Sequence, residues 1–74
     1  MNLAKRLRET REGHGWTQAQ VAEWAGLTAI EVAHYELGRR KPRPENLKKL
    51  AIGLRVSVDW LLGLDSGRPE GPSA

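Results

Sequence analysis

Residues 17–38, TQAQVAEWAGLTAIEVAHYELG, decide the fold of this 74-residue chain. The stretch predicts two short helices joined by a tight turn, because Gly26 can take a positive φ without a Cβ clash. Thr17 and Thr28 each stand where a hydroxyl can accept an amide of a first helical turn. Gly38 is expected to end the second helix. The predicted helices are Gln18–Ala25 and a second from the Thr28 cap to about residue 37.

The apolar residues of this stretch fall on the faces that two crossed helices would bury. Ala22 is small, so the second helix can cross close to the first. Two short helices that cross steeply over a glycine turn form a helix-turn-helix. When such a motif binds DNA, its second helix enters the major groove. The residues expected to point inward are Val21, Ala22, Ala25, Leu27, Val32 and Tyr35.

A wider pattern surrounds this motif. LRETREGHGWTQ covers residues 7–18, and LKKLAIGLRVSVDWLLG covers residues 47–63. Within the motif and just after it, the pattern consists of Thr17, Gln18, Ala22, Gly26, Leu27, Thr28, Val32, Tyr35, Glu36, Gly38, Arg39, Arg40, Lys41 and Pro42. Over about residues 3–64, the chain resembles the Cro/CI-type repressors, also called the XRE-like family. The resemblance implies an all-α, compact five-helix lambda-repressor-like DNA-binding domain, in which helices 2 and 3 form the helix-turn-helix.

The flanking segments predict the other three helices. Leu3 and Leu7 form the apolar stripe of a first helix over about residues 2–12. Pro44 suits the first turn of a fourth helix, and a fifth is expected over residues 56–64 with Ser57 as its cap. Where the family usually has glycine before the fifth helix, this chain has Arg55. Either Arg55 takes a strained positive φ, or the turn is remodelled around Gly53.

Composition narrows the function classes. The chain is small, has a net charge of +3 and contains no cysteine, so it has neither disulfides nor a Cys-ligated metal. No carboxylate shares a metal-ligand spacing with both of its histidines, His14 and His34. It has neither a bilayer-spanning apolar run nor the apolar core of a signal peptide. We predict a cytoplasmic protein without metal, cofactor or membrane partner, with a domain at 1–64 and a flexible tail at 65–74.

Basic residues concentrate after the motif. Between Leu37 and Arg55 there are seven basic residues and one acidic residue. A solvated charged surface is one interpretation, and contact with DNA phosphates is the other, favoured by the position beside the second motif helix. The family resemblance implies phosphate contacts from Gln18, at the positive end of its helix dipole, and from the loop. The phosphate-binding candidates are Gln18, Arg39, Arg40, Lys41, Arg43 and Asn46.

The second motif helix carries the candidates for base contacts. Family members usually have Gln, Ser, Asn, Arg or Thr at the outward positions, whereas several positions here are apolar. Alanine and isoleucine can contact a thymine methyl, Glu31 can accept from cytosine N4, and His34 can donate to guanine or to a phosphate. The base-contact candidates are Thr28, Ala29, Ile30, Glu31, Ala33 and His34.

Three further residues receive provisional roles. Glu36 is predicted to be structural, paired with Arg39 or Arg40 or capping nearby amides. Arg11 could reach a phosphate or belong to a charged outer face balanced by glutamates. Trp24 is predicted to lie on the outer side of its helix, where it could form part of a partner surface.

The predicted function is sequence-specific DNA binding. No nucleophile, phosphate-cradling loop or carboxylate cluster indicates an enzyme, so no catalytic residue is expected. We predict a transcriptional regulator, a repressor, that binds a near-palindromic site on double-stranded DNA as a homodimer. The candidate dimer interface comprises Val58, Trp60, Leu61 and Leu64. The alternative is a protein-interaction module on the same scaffold, such as an antitoxin or an anti-regulator, with a protein partner; it is favoured by Trp24, Ile30 and the excess of apolar residues over 58–64. A third possibility is sequence-blind duplex binding, in which the groove helix makes only shape contacts.

Overall fold

A computed structural model describes residues 3–64, and all regular structure in that range is helical. The all-α, five-helix prediction is therefore confirmed. The predicted tail, residues 65–74, lies outside the described residues, as do Met1 and Asn2. None of the helices in the described range is long and apolar enough to span a membrane. The helices are α1 Leu3–Gly13, α2 Gln18–Ala25, α3 Ala29–Glu36, α4 Pro44–Leu54 and α5 Val58–Leu62.

The two motif helices begin in the same way. The Thr17 hydroxyl accepts from the backbone amide of Gln20, whose side-chain oxygen accepts in return from the Thr17 amide at 2.8 Å. Thr28 and Glu31 repeat this reciprocal capping box at the start of α3. Each box satisfies two backbone donors that a helix start leaves unpaired. Gly26 ends α2 at a φ of 74°, as the sequence predicts.

The core lies where all five helices meet. All but one of the predicted inward residues of the motif are buried, and Leu27 is half-buried against the core. The pattern of inward and outward positions in α2 and α3 is therefore confirmed. The core cluster consists of Leu7, Val21, Ala22, Val32, Tyr35, Leu50, Ala51, Leu54 and Leu61.

Helices α2 and α4 approach closely at Gly53. A Cβ added to Gly53 would lie 3.1 Å from the Ala25 Cβ and 3.1 Å from the backbone oxygen of Val21. Separations of this size are tighter than most Cβ contacts in proteins, so a neighbouring atom would have to shift by a few tenths of an ångström. Glycine at this position in α4 therefore permits the close approach, although glycine lowers helix propensity.

The turn after α4 resolves the choice between Arg55 and Gly53. Arg55 adopts φ 63° and ψ 39°, and its amide bonds back to α4. Among residues 3–64 it is the one non-glycine residue with positive φ. The left-handed conformation costs a residue with a Cβ about 1–2 kcal/mol. The strained alternative is therefore the one that occurs.

Helix α5 is shorter than predicted. Ser57 caps it, accepting from the Trp60 amide at 2.9 Å, and Gly63 ends it at a φ of 75°. Leu61 is fully buried in the core, so its assignment to a dimer interface was wrong: it has no surface to offer a second chain. Leu64, by contrast, lies beyond the helix and is 71% exposed.

Candidate nucleic-acid interface

The first turn of α3 presents an apolar surface. Ala29 and Ile30 occupy its first two positions, and both are exposed, Ile30 at 68%. Ala33 and His34, one turn further, are half-buried. The N-terminal residues of a recognition helix are the ones that reach base edges. The first two side chains of α3 are therefore exposed hydrocarbon.

The polar groups at the start of α3 are already bonded to each other. One carboxylate oxygen of Glu31 accepts from the Thr28 amide at 2.9 Å and from the Thr28 hydroxyl at 3.2 Å. The Thr28 hydroxyl in turn accepts from the Glu31 amide at 3.1 Å. A base contact from either side chain would compete with these bonds. Both residues have a capping role that the sequence analysis gave only to Thr28.

A buried ion pair connects α1 to the end of α3. Arg11 Nε donates to Glu36 Oε2 at 2.7 Å, and Nη2 donates to Oε1 at 3.0 Å. The Arg11 side chain is 12% exposed and that of Glu36 is 3% exposed. The hydrogen bonds that Arg11 donates to Glu36 raise the pKa of Arg11 above its ordinary value, and burial opposes this shift. Arg11 also donates from Nη1 to the Trp16 carbonyl oxygen at 2.8 Å.

This ion pair corrects two predictions. Glu36 is structural, but its partner is Arg11 rather than Arg39 or Arg40. Arg11 is enclosed in the pair, so it is not free to reach a phosphate. The two residues are 25 positions apart, and neither helical periodicity nor local spacing signals a pair at that separation.

Gln18 bonds to the same carboxylate. Its side-chain amide donates from Nε2 to Glu36 Oε1 at 3.0 Å. Gln18 is the first residue of α2, where backbone amides are unpaired and the helix dipole is positive. The amide group is therefore held at a helix end suited to an anion, although one of its two N–H groups is already used.

The basic loop follows α3 and lies at the surface. Its four cations, Arg39, Arg40, Lys41 and Arg43, are all exposed, and Pro42 between them is half-buried. A shallow depression beside α3 contains several of the predicted contact residues. It is lined by Glu31, Tyr35, Arg40, Lys41, Arg43 and Asn46.

Asn46 links the loop side of this depression to the core. Its Nδ2 donates to the Tyr35 hydroxyl at 2.8 Å, a bond that the sequence analysis missed. Asn46 is held in one orientation by this bond and keeps a second N–H and a carbonyl oxygen for other partners. Its side chain is thus fixed beside Arg40 and Lys41.

An aromatic cluster lies apart from the basic loop. Trp24 is 40% exposed, as predicted, and its ring meets Trp16 edge-on at 5.0 Å between centroids. His14 stacks on Trp16 at 4.1 Å. The Arg55 guanidinium lies 5.8 Å from the Trp16 ring and 5.7 Å from the Trp24 ring.

Within residues 3–64, no three His, Cys, Asp or Glu side chains are grouped to hold a metal.

The arrangement of the helices and the basic loop defines the class of protein. Five helices, with α2 and α3 crossing over a glycine turn and a basic loop after α3, form a helix-turn-helix DNA-binding domain of the lambda-repressor type. Residues 7–61 match the helix-turn-helix family, so the chain belongs to that family. The Cro/CI-type, XRE-like resemblance is therefore confirmed, and the curated relatives of the chain are transcriptional regulators rather than enzymes.

Two curated relatives illustrate the family. The HTH-type transcriptional regulator ImmR of Bacillus subtilis is 40% identical over 65 residues, which are 88% of this chain and 51% of ImmR. The transcriptional repressor RstR of the cryptic phage CTXphi, from Vibrio cholerae, is 38% identical over 63 residues, which are 85% of this chain and 56% of RstR. The chain thus spans about half the length of these relatives.

The fold also matches solved structures. The P22 c2 repressor, crystallised in complex with a synthetic operator, superposes with a TM-score of 0.80 at 28% identity. The match covers 88% of this chain and 98% of the repressor chain. The helices of this chain therefore have the arrangement of a domain whose structure was determined on DNA.

Proposed function

We propose that this chain is the sequence-specific DNA-binding domain of a bacterial or phage transcriptional repressor, which acts in the cytoplasm as a dimer on a near-palindromic operator. In this function α3 lies in the major groove, and the surrounding cations bind the phosphates on either side. The observation that carries the proposal is the position of the exposed basic loop directly after α3, sharing a depression with Glu31 and Asn46.

The phosphate contacts are assigned to residues on both sides of α3. Arg39, Arg40, Lys41 and Arg43 are exposed cations on one short loop, which suits a row of phosphates. Gln18 supports the other side, since it begins α2 and its amide is fixed by Glu36. Asn46 would add its second N–H next to the loop cations.

The base contacts are assigned to the exposed side of α3. Ala29 and Ile30 are the first two residues of α3, and Ala33 and His34 lie one turn further along the helix. Thr28 and Glu31 remain candidates through the atoms that the capping box leaves unused. Repression would follow from occupation of a promoter. The similarity of the chain to the repressor RstR supports this role.

The dimer is proposed to form around α5. With Leu61 in the core, the remaining candidates are the half-buried Val58 and Trp60 and the exposed Leu64. Leu62, 42% exposed, adds to the same end of the domain. A twofold dimer would set two copies of α3 about 34 Å apart, one turn of duplex DNA.

A salt titration tests the proposal. Fluorescence anisotropy of a labelled duplex, titrated with the protein at several salt concentrations, should give an affinity that falls linearly with the logarithm of salt concentration. The Arg39→Ala/Arg40→Ala variant should bind more weakly and reduce the slope by roughly two, because each phosphate contact contributes about 0.9. The charge-matched control is Lys5→Ala/Lys48→Ala, which removes two cations outside the loop. Its affinity should depend on salt concentration with most of the original slope.

A protein-interaction module, such as an antitoxin or an anti-regulator, is the second candidate. It is favoured by the exposure of Trp24 and Ile30, two large apolar side chains on the motif helices. In that case the protein should fail to bind duplex DNA even at low salt. Binding of its protein partner should survive the Arg39→Ala/Arg40→Ala change.

A further inference from the structure

We infer that α3 recognises C5-methyl groups in the major groove through Ile30, so that at the contacted position thymine is preferred to uracil and 5-methylcytosine is preferred to unmethylated cytosine. This inference rests on the proposed DNA-binding function and specifies its chemistry. It concerns the kind of group that is recognised, which the family assignment leaves open.

Hydrocarbon is exposed at the end of α3 that would meet the base edges. Ile30 is the second residue of α3 and is 68% exposed, and Ala29 beside it is also exposed. Neither side chain can donate or accept a hydrogen bond. A helix that enters the groove with this end first brings a branched apolar side chain to the bases.

The polar groups next to Ile30 are already engaged in hydrogen bonds with each other. The Thr28 hydroxyl both donates to and accepts from Glu31, and one Glu31 carboxylate oxygen takes two bonds from Thr28. Breaking these bonds to contact a base would remove the cap of α3 and leave backbone donors of its first turn unpaired. Ile30 is therefore the large side chain of this turn that can approach a base without breaking a hydrogen bond.

The chemistry of the major groove favours a methyl group as the partner of Ile30. Polar base edges lose water when hydrocarbon covers them, and an apolar side chain returns no hydrogen bond. The C5-methyl group of thymine is the apolar group that unmodified base pairs present in the major groove. 5-Methylcytosine carries a methyl on the same ring carbon. Ile30 should therefore discriminate by the presence of the methyl rather than by base identity.

The test begins with duplexes that the full chain itself selects from a random-sequence pool. Each thymine of the selected duplex is then replaced singly by deoxyuridine, which removes only the methyl. At one or two positions the affinity should fall about fourfold, the value for about 0.8 kcal/mol per buried methyl group. At those positions, a 5-methylcytosine·guanine pair should bind about fourfold more tightly than a cytosine·guanine pair.

Two variants assign the effect to Ile30. Ile30→Ala should reduce both methyl effects to less than about twofold, because most of the hydrocarbon is removed. Ile52→Ala is the matched control, since Ile52 is also exposed, at 72%, but lies near the C-terminal end of α4. It should leave both methyl effects unchanged.

The outcomes separate the inference from the proposed function. A selected sequence on which deoxyuridine binds as well as thymine overturns the inference while leaving DNA recognition intact. A methyl effect that survives Ile30→Ala also overturns it, because another group must then make the contact. Absence of any DNA binding overturns the proposed function, and the inference with it.

Discussion

Arg11 on α1 and Glu36 at the end of α3 are joined by two parallel hydrogen bonds, at 2.7 and 3.0 Å, in a site with little access to water. The same carboxylate accepts from Gln18 at the start of α2. Three helices of the domain are thus connected through one side chain. The geometry of the helix-turn-helix depends on α1 as well as on the turn between α2 and α3.

We predict that Arg11→Ala lowers the free energy of unfolding by about 3 kcal/mol, because it leaves the Glu36 carboxylate buried without its cation. The measurement is the urea midpoint, followed by circular dichroism. Arg8→Ala is the matched control on the same helix. Its pair with Glu12, at 3.6 Å, is more than half exposed and should be worth less than about 1 kcal/mol.

A double variant tests the reason for this loss. Arg11→Met/Glu36→Leu removes both charges and should recover much of the stability, since no buried charge remains. Equal urea midpoints for the Arg11→Ala and Arg8→Ala variants would contradict the buried ion pair.

Gly53→Ala is predicted to destabilise the fold by about 1–2 kcal/mol, although alanine is the better helix former. The added methyl would press on Ala25 and on the α2 backbone at 3.1 Å. Gly13→Ala provides the comparison, since Gly13 is helical and has no atom within 4 Å of an added Cβ. That variant should be neutral or slightly more stable. Thermal unfolding measures both, and a stabilised Gly53→Ala variant would refute the close contact.

Arg55→Gly should be more stable than Arg55→Ala by about 1 kcal/mol. Both variants lose the guanidinium near Trp16 and Trp24, but only glycine relieves the positive φ of 63°. Comparison of the two variants therefore isolates backbone strain from the side-chain contacts. Urea unfolding supplies the measurement, and equal stability of the two variants would mean that the turn is unstrained.

Leu64→Asp is predicted to weaken self-association if α5 forms the dimer interface, because a carboxylate would be buried against apolar surface. Analytical ultracentrifugation should show a dissociation constant raised at least tenfold. Ile52→Asp is the matched control, because Ile52 on α4 is an apolar side chain as exposed as Leu64. It should leave association unchanged. If the two variants associate alike, the interface lies elsewhere.

The helix-turn-helix could be predicted because its signals are local. Thr17, Gly26 and Thr28 specify a cap, a turn and a second cap through their own backbone and side-chain chemistry. The apolar spacing between them indicates which faces are buried. These features involve residues within about one helical turn of each other, so the linear sequence contains them.

The features that sequence analysis missed depend on distant residues. The Arg11–Glu36 pair and the Asn46–Tyr35 bond join side chains that are adjacent only after folding. The need for Gly53 arises from the passage of α2 against α4, whereas helix propensity alone marks this glycine as unfavourable. Leu61 was misassigned because a short apolar segment does not reveal which of its residues face the core.

The capping box of α3 has a consequence for the evolution of this domain. Thr28 and Glu31 secure the helix start, and the two positions between them contribute little to the core. Substitutions at Ala29 and Ile30 are therefore expected to leave folding nearly unaffected. Duplicated copies of such a gene could acquire new target sequences through one or two changes at these positions, without passing through an unstable intermediate.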